Sequence, residues 1–189
     1  SICSISVHIL ADRGLIDLNS PVCNYWKEFG QAGKEDITVA NVLGHECGAI
    51  FSDTAKPSDW YSYERQCAAI AAQEPAFKAG TNGAYNTVNI GFILGEIVRH
   101  VTGKNVGEFI RDEISTPLNA EYQIGLTDKE VSRLSNMHLN KENAFWAMGA
   151  DPDSNLNRAW SGKPTSGDFL NSEHLSLIHI SEPTRLSAI

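Results

Sequence analysis

The sequence Gly80 to Gly103, GTNGAYNTVNIGFILGEIVRHVTG, decides how the rest of the chain is interpreted. Its first part is a turn-rich loop, in which Gly80 and Gly83 are free to adopt positive φ. The second part, Val88 to Val101, is predicted to be a buried helix because apolar residues recur at helical spacing: Ile90, Ile93, Leu94, Ile97 and Val101. Gly103 follows as the expected glycine after the helix end.

Tyr85 lies where this loop enters the helix. The positive end of a helix favours an anion, so the position suits a phenol that has to become a phenolate. A structural tyrosine at a helix start is the alternative, and spacing alone favours that alternative. The rest of the sequence is needed to choose between them.

Composition excludes several classes of function. The chain has 189 residues, with 15 basic and 23 acidic side chains, and a net charge of −8 without a basic cluster. Binding to nucleic acid or to an anionic membrane is therefore not expected. No apolar run approaches the roughly 18 residues of a membrane-spanning helix. No CxxC pair occurs among the four cysteines, so no metal site is predicted.

Further helices are predicted on both sides of the central one. Residues 1–12 are expected to be helical, with an apolar face of Ile2, Ile5, Ile9 and Leu10. Val22 to Phe29 is predicted to be a packed loop or a single helical turn. Thr38 is a good N-cap for a short helix, Val39 to Leu43. Asp59 to Gln73 is predicted to form another helix.

The second half of the chain contains three more predicted segments. Asn105 and Glu108 have the spacing of a capping box at the start of a helix that Pro117 should stop. Thr127 to Ser135 is predicted to be a short polar helix. Ala150 to Gly167 is rich in Asp, Asn, Ser and Pro, which favours a long loop or a lid.

Both ends of the chain are unusual. Residues 1–12 are already helical in pattern at Ser1, so we expect residue 1 to be a truncation point. Leu175 to Arg185, LSLIHISEPTR, matches the translation of a common sequencing adapter, and residue 186 is consistent with it. We therefore expect residues 1–174 to be part of one domain and residues 175–189 to be an artefactual tail, excluded from fold reasoning.

Three segments together carry a family resemblance. They are HILADRGLIDLNSPVCNYWKEF at 8–29, DITVANVLGHECGAI at 36–50, and AGTNGAYNTVNIGFILGEIVRHVTG at 79–103. Their order, spacing and motifs resemble the serine β-lactamase-like hydrolases, which include class C β-lactamases, DD-peptidases and related esterases. The resemblance implies an α+β fold, a helical cluster on a mostly antiparallel sheet. This chain would hold mostly the helical part.

The resemblance also implies a catalytic mechanism. Members of the family use Ser-x-x-Lys, a Tyr-x-Asn-like motif and a third motif on a strand. Tyr85-Asn86-Thr87 matches the second, which implies that Tyr85 is catalytic and that Thr87 and Asn86 bind substrate. The expected substrate is a small ester or amide, cleaved through an acyl-serine without a cofactor. No Ser-x-x-Lys occurs here, and we expect the chain alone to be inactive.

Alternatives remain open at this point. Thr87 stands where the family has Asn, which favours an esterase or a peptidase over a dedicated β-lactamase. A non-catalytic homologue that binds or regulates is the rival from another class. His45-Glu46 suggests a zinc-protease HExxH motif, but Ala49 occupies the second histidine position, so His45 is expected to form a hydrogen bond within its turn. The compartment stays undetermined.

Overall fold

The computed structural model describes residues 2–56, 59, 62–86, 88–125, 135, 151 and 153–160. The elements of this part are helical. They are α1 (Ile2–Asp12), two 3₁₀ turns (Val22–Asn24 and Lys27–Phe29), α2 (Val39–Leu43), α3 (Tyr63–Ala72), α4 (Asn89–Thr102), α5 (Val106–Ile110), a π-helical turn (Arg111–Ser115), α6 (Thr116–Leu118) and α7 (Asn155–Trp160). The described residues contain one isolated antiparallel bridge, between Pro21 and Thr38, and no strand.

Helix α4 is the centre of the described core, as its sequence predicts. It packs against α1, α2, α3 and α5. All ten residues from Asn89 to Val98 are buried. Apart from Asn89 and Glu96, these residues are apolar or glycine, and a helix of this kind is stable when other elements cover it. Gly95 allows the close approach of α3, because a Cβ atom there would lie 2.6 Å from Tyr63 Oη.

The end of α4 and the caps of two short helices also match the prediction. Gly103 ends α4 with φ 74°, a left-handed conformation that glycine adopts without cost. Thr38 caps α2 by accepting a hydrogen bond from Asn41 N, and Asn41 completes the capping box. Asn105 and Glu108 form the predicted capping box at the start of α5.

Helix α1 forms where predicted, and its buried face agrees in part with the predicted one: Leu10 is buried, and Ile2 and Ile9 pack partly buried against the core. The buried residues are Cys3, Ser6, Val7 and Leu10, which is the i, i+3, i+4, i+7 set of one helix face. Ile5, assigned to the apolar face, is 51% exposed. The prediction was wrong for Ile5 and did not include Cys3 and Ser6, two small residues that are buried on this face. Ser6 is accommodated by donating from Oγ to Ile2 O.

A buried lysine joins the segment after the second 3₁₀ turn to α3. Lys34 has no exposed surface, and its ammonium donates to the carbonyls of Gln31, Ala71 and Gln73. Two of these carbonyls belong to the end of α3 and the residue that follows it, where helix carbonyls lack partners within the helix. Burial lowers the pKa of Lys34 to about 8. This single side chain therefore closes the C-terminal end of α3.

Other predicted boundaries shift. Helix α3 begins at Tyr63 rather than Asp59, because Ser62 Oγ caps it by accepting from Arg65 N. Pro117 does not stop the helix that begins at α5, which continues to Leu118 and ends at Asn119 with φ 51°. Of the predicted lid, residues 155–160 form helix α7 instead of a loop.

Several predictions fall on residues outside the described part. The polar helix from Thr127 to Ser135 is one, since Ser135 alone of that segment is described. The adapter-like tail at 175–189 is another. The described part confirms the mostly helical character expected of this chain.

Candidate functional site

The loop that carries Tyr85 is bound to the segment that follows α2. Three backbone hydrogen bonds join residues 76–84 to residues 45–48: Ala76 N to Gly48 O at 2.8 Å, Gly80 N to Glu46 O at 3.0 Å, and Ala84 N to His45 O at 2.9 Å. We call this set of contacts the clasp. It brings together two motifs that are separate in the sequence, LGHECG at 43–48 and GTNGAY at 80–85.

Gly48 makes the clasp possible. Its φ is 69°, a left-handed value. A Cβ atom at this position would lie 2.5 Å from Phe77 O and 3.2 Å from Phe77 N. A side chain would therefore push the loop away from residues 45–48, and glycine is required by both its conformation and its size.

His45 is the residue of the clasp that lies nearest to Tyr85. Its φ is 59°, and its Nδ1 accepts a hydrogen bond from Asn86 N at 3.0 Å. The His45 and Tyr85 rings lie 4.7 Å apart between centroids, at an interplanar angle of 48°. His45 N donates to Val42 O at 3.1 Å, which confirms the expected hydrogen bond within its own turn, and the ring in addition accepts from Asn86, 41 residues along the chain.

Tyr85 and its neighbour Asn86 differ sharply in burial. Tyr85 is 76% exposed, whereas Asn86 is 2% exposed. The phenol of Tyr85 is therefore presented to solvent from a loop whose next residue is fixed inside the protein. The amide of Asn86 donates from Nδ2 to Ala49 O at 3.0 Å. That donor holds the segment after the clasp, and a role for Asn86 toward substrate stays a prediction.

Asn89 anchors the segment that follows α2, a role that the sequence interpretation did not include. It is completely buried at the start of α4. Its Nδ2 donates to Ala49 O at 3.2 Å and to Phe51 O at 3.1 Å. An asparagine in the first turn of an otherwise apolar helix was the available signal, because an unpaired amide there would be costly.

The segment that follows α2 also contacts α7, through Phe51 and Asp53. Arg158 bonds the carboxylate of Asp53 through Nε, at 3.2 and 3.1 Å, and its guanidinium lies 3.9 Å from the centroid of the Phe51 ring. Helix α7, which lies in the predicted lid, thus contacts Phe51, whose carbonyl Asn89 also binds.

Two further sequence expectations concern this region. Thr87, the predicted substrate-binding residue, lies outside the described residues. Within the described ranges, no group of three or more His, Cys, Asp or Glu residues could hold a metal ion.

Comparison with known proteins establishes the family. The family model described as Beta-lactamase matches residues 1–167. The chain belongs to the beta-lactamase family. It is 35% identical over 115 residues to the esterase/beta-lactamase LipL of Mycobacterium tuberculosis (strain ATCC 25618 / H37Rv). The aligned residues cover 61% of this chain and 27% of LipL.

Solved structures give the same result for the fold. A family VIII carboxylesterase superposes with a TM-score of 0.81 at 32% identity, covering 97% of this chain and 48% of the esterase. EstA from Arthrobacter nitroguajacolicus Rue61a gives a TM-score of 0.82 at 26% identity, with 97% and 49% covered. A penicillin-binding protein homologue from Caulobacter crescentus gives 0.69 at 33% identity, with 73% and 38% covered.

These matches confirm the β-lactamase/DD-peptidase fold class and the homology to serine hydrolases. The chain spans about half the length of the family VIII carboxylesterase and of EstA, and about a quarter of LipL. In the described part, none of the helices is long and apolar enough to cross a membrane.

Proposed function

We propose that this chain is part of a serine hydrolase that cleaves esters or amides through an acyl-serine, and that Tyr85 is its proton shuttle. The observation that carries the proposal is the exposure of Tyr85. Tyr85 is 76% exposed while the adjacent Asn86 is buried, so the Tyr85 hydroxyl is accessible to a substrate while its backbone is held in place. A family of serine hydrolases supplies the chemical context.

The proposed reaction has two stages. A serine supplied elsewhere in the whole protein attacks the carbonyl carbon, and its Oγ proton passes to the phenolate of Tyr85. The tetrahedral intermediate collapses as Tyr85 returns that proton to the leaving alcohol or amine, which leaves an acyl-serine. Water then attacks the acyl carbon and gives one proton to Tyr85, which returns it to the serine Oγ as the acid is released.

A carboxylic ester is the substrate that we favour. A family VIII carboxylesterase and EstA are similar to this chain over almost its whole length. Thr87 replaces the family's asparagine, and its hydroxyl offers one donor where an amide offers two. Hydrolysis of a short-chain p-nitrophenyl ester should therefore be faster than hydrolysis of a chromogenic cephalosporin.

The test is the variant Tyr85→Phe in the whole protein. It removes one oxygen and keeps the ring that contacts His45. We expect kcat for p-nitrophenyl butyrate to fall by about 10²- to 10⁴-fold, the usual contribution of a general acid–base group, with a smaller change in KM.

Tyr25→Phe is the matched control. The Tyr25 hydroxyl accepts a hydrogen bond from Asp17 N at 2.7 Å and lies outside the clasp, so kcat should stay within a factor of two of wild type. Equal activity of Tyr85→Phe and Tyr25→Phe would refute the role of Tyr85. Absence of esterase, peptidase and β-lactamase activity in the whole wild-type protein would favour the non-catalytic binding homologue.

A further inference from the structure

We propose that His45 is the positioning residue of Tyr85, through hydrogen bonds to both chain neighbours of the tyrosine. The inference rests on the proposed function of Tyr85 and goes beyond it to a residue outside the Tyr-x-Asn-like motif. His45 O accepts from Ala84 N at 2.9 Å, and His45 Nδ1 accepts from Asn86 N at 3.0 Å. One residue thus holds the backbone before and after Tyr85.

The left-handed backbone of His45 explains how one residue can do this. Its φ of 59° follows directly on the end of α2 at Gly44. The backbone and side chain of His45 are then both used toward the same loop. Histidine is among the residues that are enriched in this conformation, whereas most side chains are strained there.

The hydrogen bond also fixes the chemical form of the imidazole. A backbone N–H can only donate, so the Nδ1 atom that faces Asn86 N has to carry a lone pair. His45 is therefore the neutral tautomer with its proton on Nε2. A neutral ring 4.7 Å from the Tyr85 ring packs against the phenol without adding a charge, which is the behaviour of a positioning group.

Two substitutions separate the acceptor from the backbone conformation. His45→Gly removes the acceptor and the ring but tolerates φ 59°. His45→Asn also tolerates this conformation, and its Oδ1 is bonded to Cγ as Nδ1 is in histidine, so it restores the acceptor. Alanine is avoided because it would add backbone strain. Asn119→Gly, at φ 51° outside the clasp, controls for placing glycine at a left-handed position.

The first readout is hydrogen exchange in the whole protein, which does not depend on catalysis. In His45→Gly the amide of Asn86 should exchange about 2- to 10-fold faster, the factor expected from losing one neutral hydrogen bond. In His45→Asn and Asn119→Gly its exchange should match wild type. Unchanged exchange in His45→Gly would overturn the inference, whatever the role of Tyr85.

The second readout is hydrolysis of p-nitrophenyl butyrate. Displacing a catalytic group by about 1 Å costs about 10²-fold, so kcat of His45→Gly should fall by that order and His45→Asn should recover most of it. The part of kcat that His45→Asn does not recover measures the contribution of the contact between the His45 and Tyr85 rings. Equal losses in His45→Gly and His45→Asn would overturn the role of the acceptor.

A double substitution links the two residues. Because His45 acts through Tyr85, adding His45→Gly to Tyr85→Phe should lower kcat by less than a factor of two beyond Tyr85→Phe alone. A full additional loss would mean that His45 acts on the reaction independently, and would overturn positioning. If Tyr85→Phe alone keeps full activity, the proposed function fails, while the exchange experiment still decides whether His45 fixes the loop.

Discussion

Replacing Gly48 by alanine should displace the Tyr85 loop, and the structure contains a matched control for the size of the effect. Gly48 and Gly14 have nearly the same backbone, with φ 69° and 68°. A Cβ atom at Gly48 would lie 2.5 Å from Phe77 O, whereas one at Gly14 would have no atom within 4 Å. The two substitutions share the cost of conformation and differ in the cost of contact.

The expected magnitudes follow from these two costs. An L-residue in the left-handed region costs about 1–2 kcal/mol, and Gly14→Ala should lose this amount of unfolding free energy. Gly48→Ala has to move the backbone of Phe77 as well, and overpacking of this kind costs about 1–3 kcal/mol more. The total for Gly48→Ala is about 2–5 kcal/mol.

Urea unfolding of the whole protein, monitored by tryptophan fluorescence, measures the loss of unfolding free energy in Gly48→Ala and in Gly14→Ala. Moving Phe77 also disturbs the bond from Ala76 N to Gly48 O, so we expect Gly48→Ala to lose ester hydrolysis at temperatures where it is still folded. Gly14→Ala should keep its activity. Equal destabilisation of the two variants, within about 0.5 kcal/mol, would refute the steric argument.

Three other predictions concern buried polar groups. Lys34→Met should lower the unfolding free energy by about 2–4 kcal/mol, because three backbone carbonyls lose their donor and one of them is fully buried; a loss below about 1 kcal/mol would contradict this. Burial lowers the pKa of Lys34 from 10.5 to about 8, so between these pH values the unfolded state binds more protons and the unfolding free energy should rise with pH. The unfolding free energy of wild type minus that of Lys34→Met, measured by urea titration, should therefore grow from pH 8 to 10.5. A difference that does not change with pH would refute the lowered pKa of Lys34. Burial raises the pKa of the Cys47 and Cys67 thiols, which lowers their reactivity. Iodoacetamide at pH 7 should therefore modify the partly exposed Cys23 first, as measured by mass spectrometry. Labelling of Cys67 before Cys23 would contradict the burial of Cys67.

Local sequence signals were sufficient for the elements whose energetics are local. The capping boxes at Thr38 and Asn105 depend on a few neighbouring residues, and the positive φ of Gly103 depends on the end of one helix. The central helix was equally clear, because its apolar residues cover most of its circumference. These features were predictable since the interactions that form them lie within a few positions along the chain.

The tertiary structure decided which polar residues are inside. Asn89 and Lys34 are buried because backbone carbonyls of distant segments accept their hydrogen bonds, and no local pattern reports such partners. The face of α1 was decided by packing as well, since Ser6 is buried and Ile5 is exposed, although the hydrogen bond of Ser6 to Ile2 O is local. Close packing against α4 favours the small residue over the larger one.

The sequence by itself determined the family resemblance, the central helix and the loop that presents Tyr85. The tertiary structure decided that His45 holds this loop on both sides of the tyrosine. The physical reason is the range of the interactions: a helix forms from contacts within a few residues, whereas the clasp needs a left-handed turn after α2 to meet backbone amides about 40 residues later.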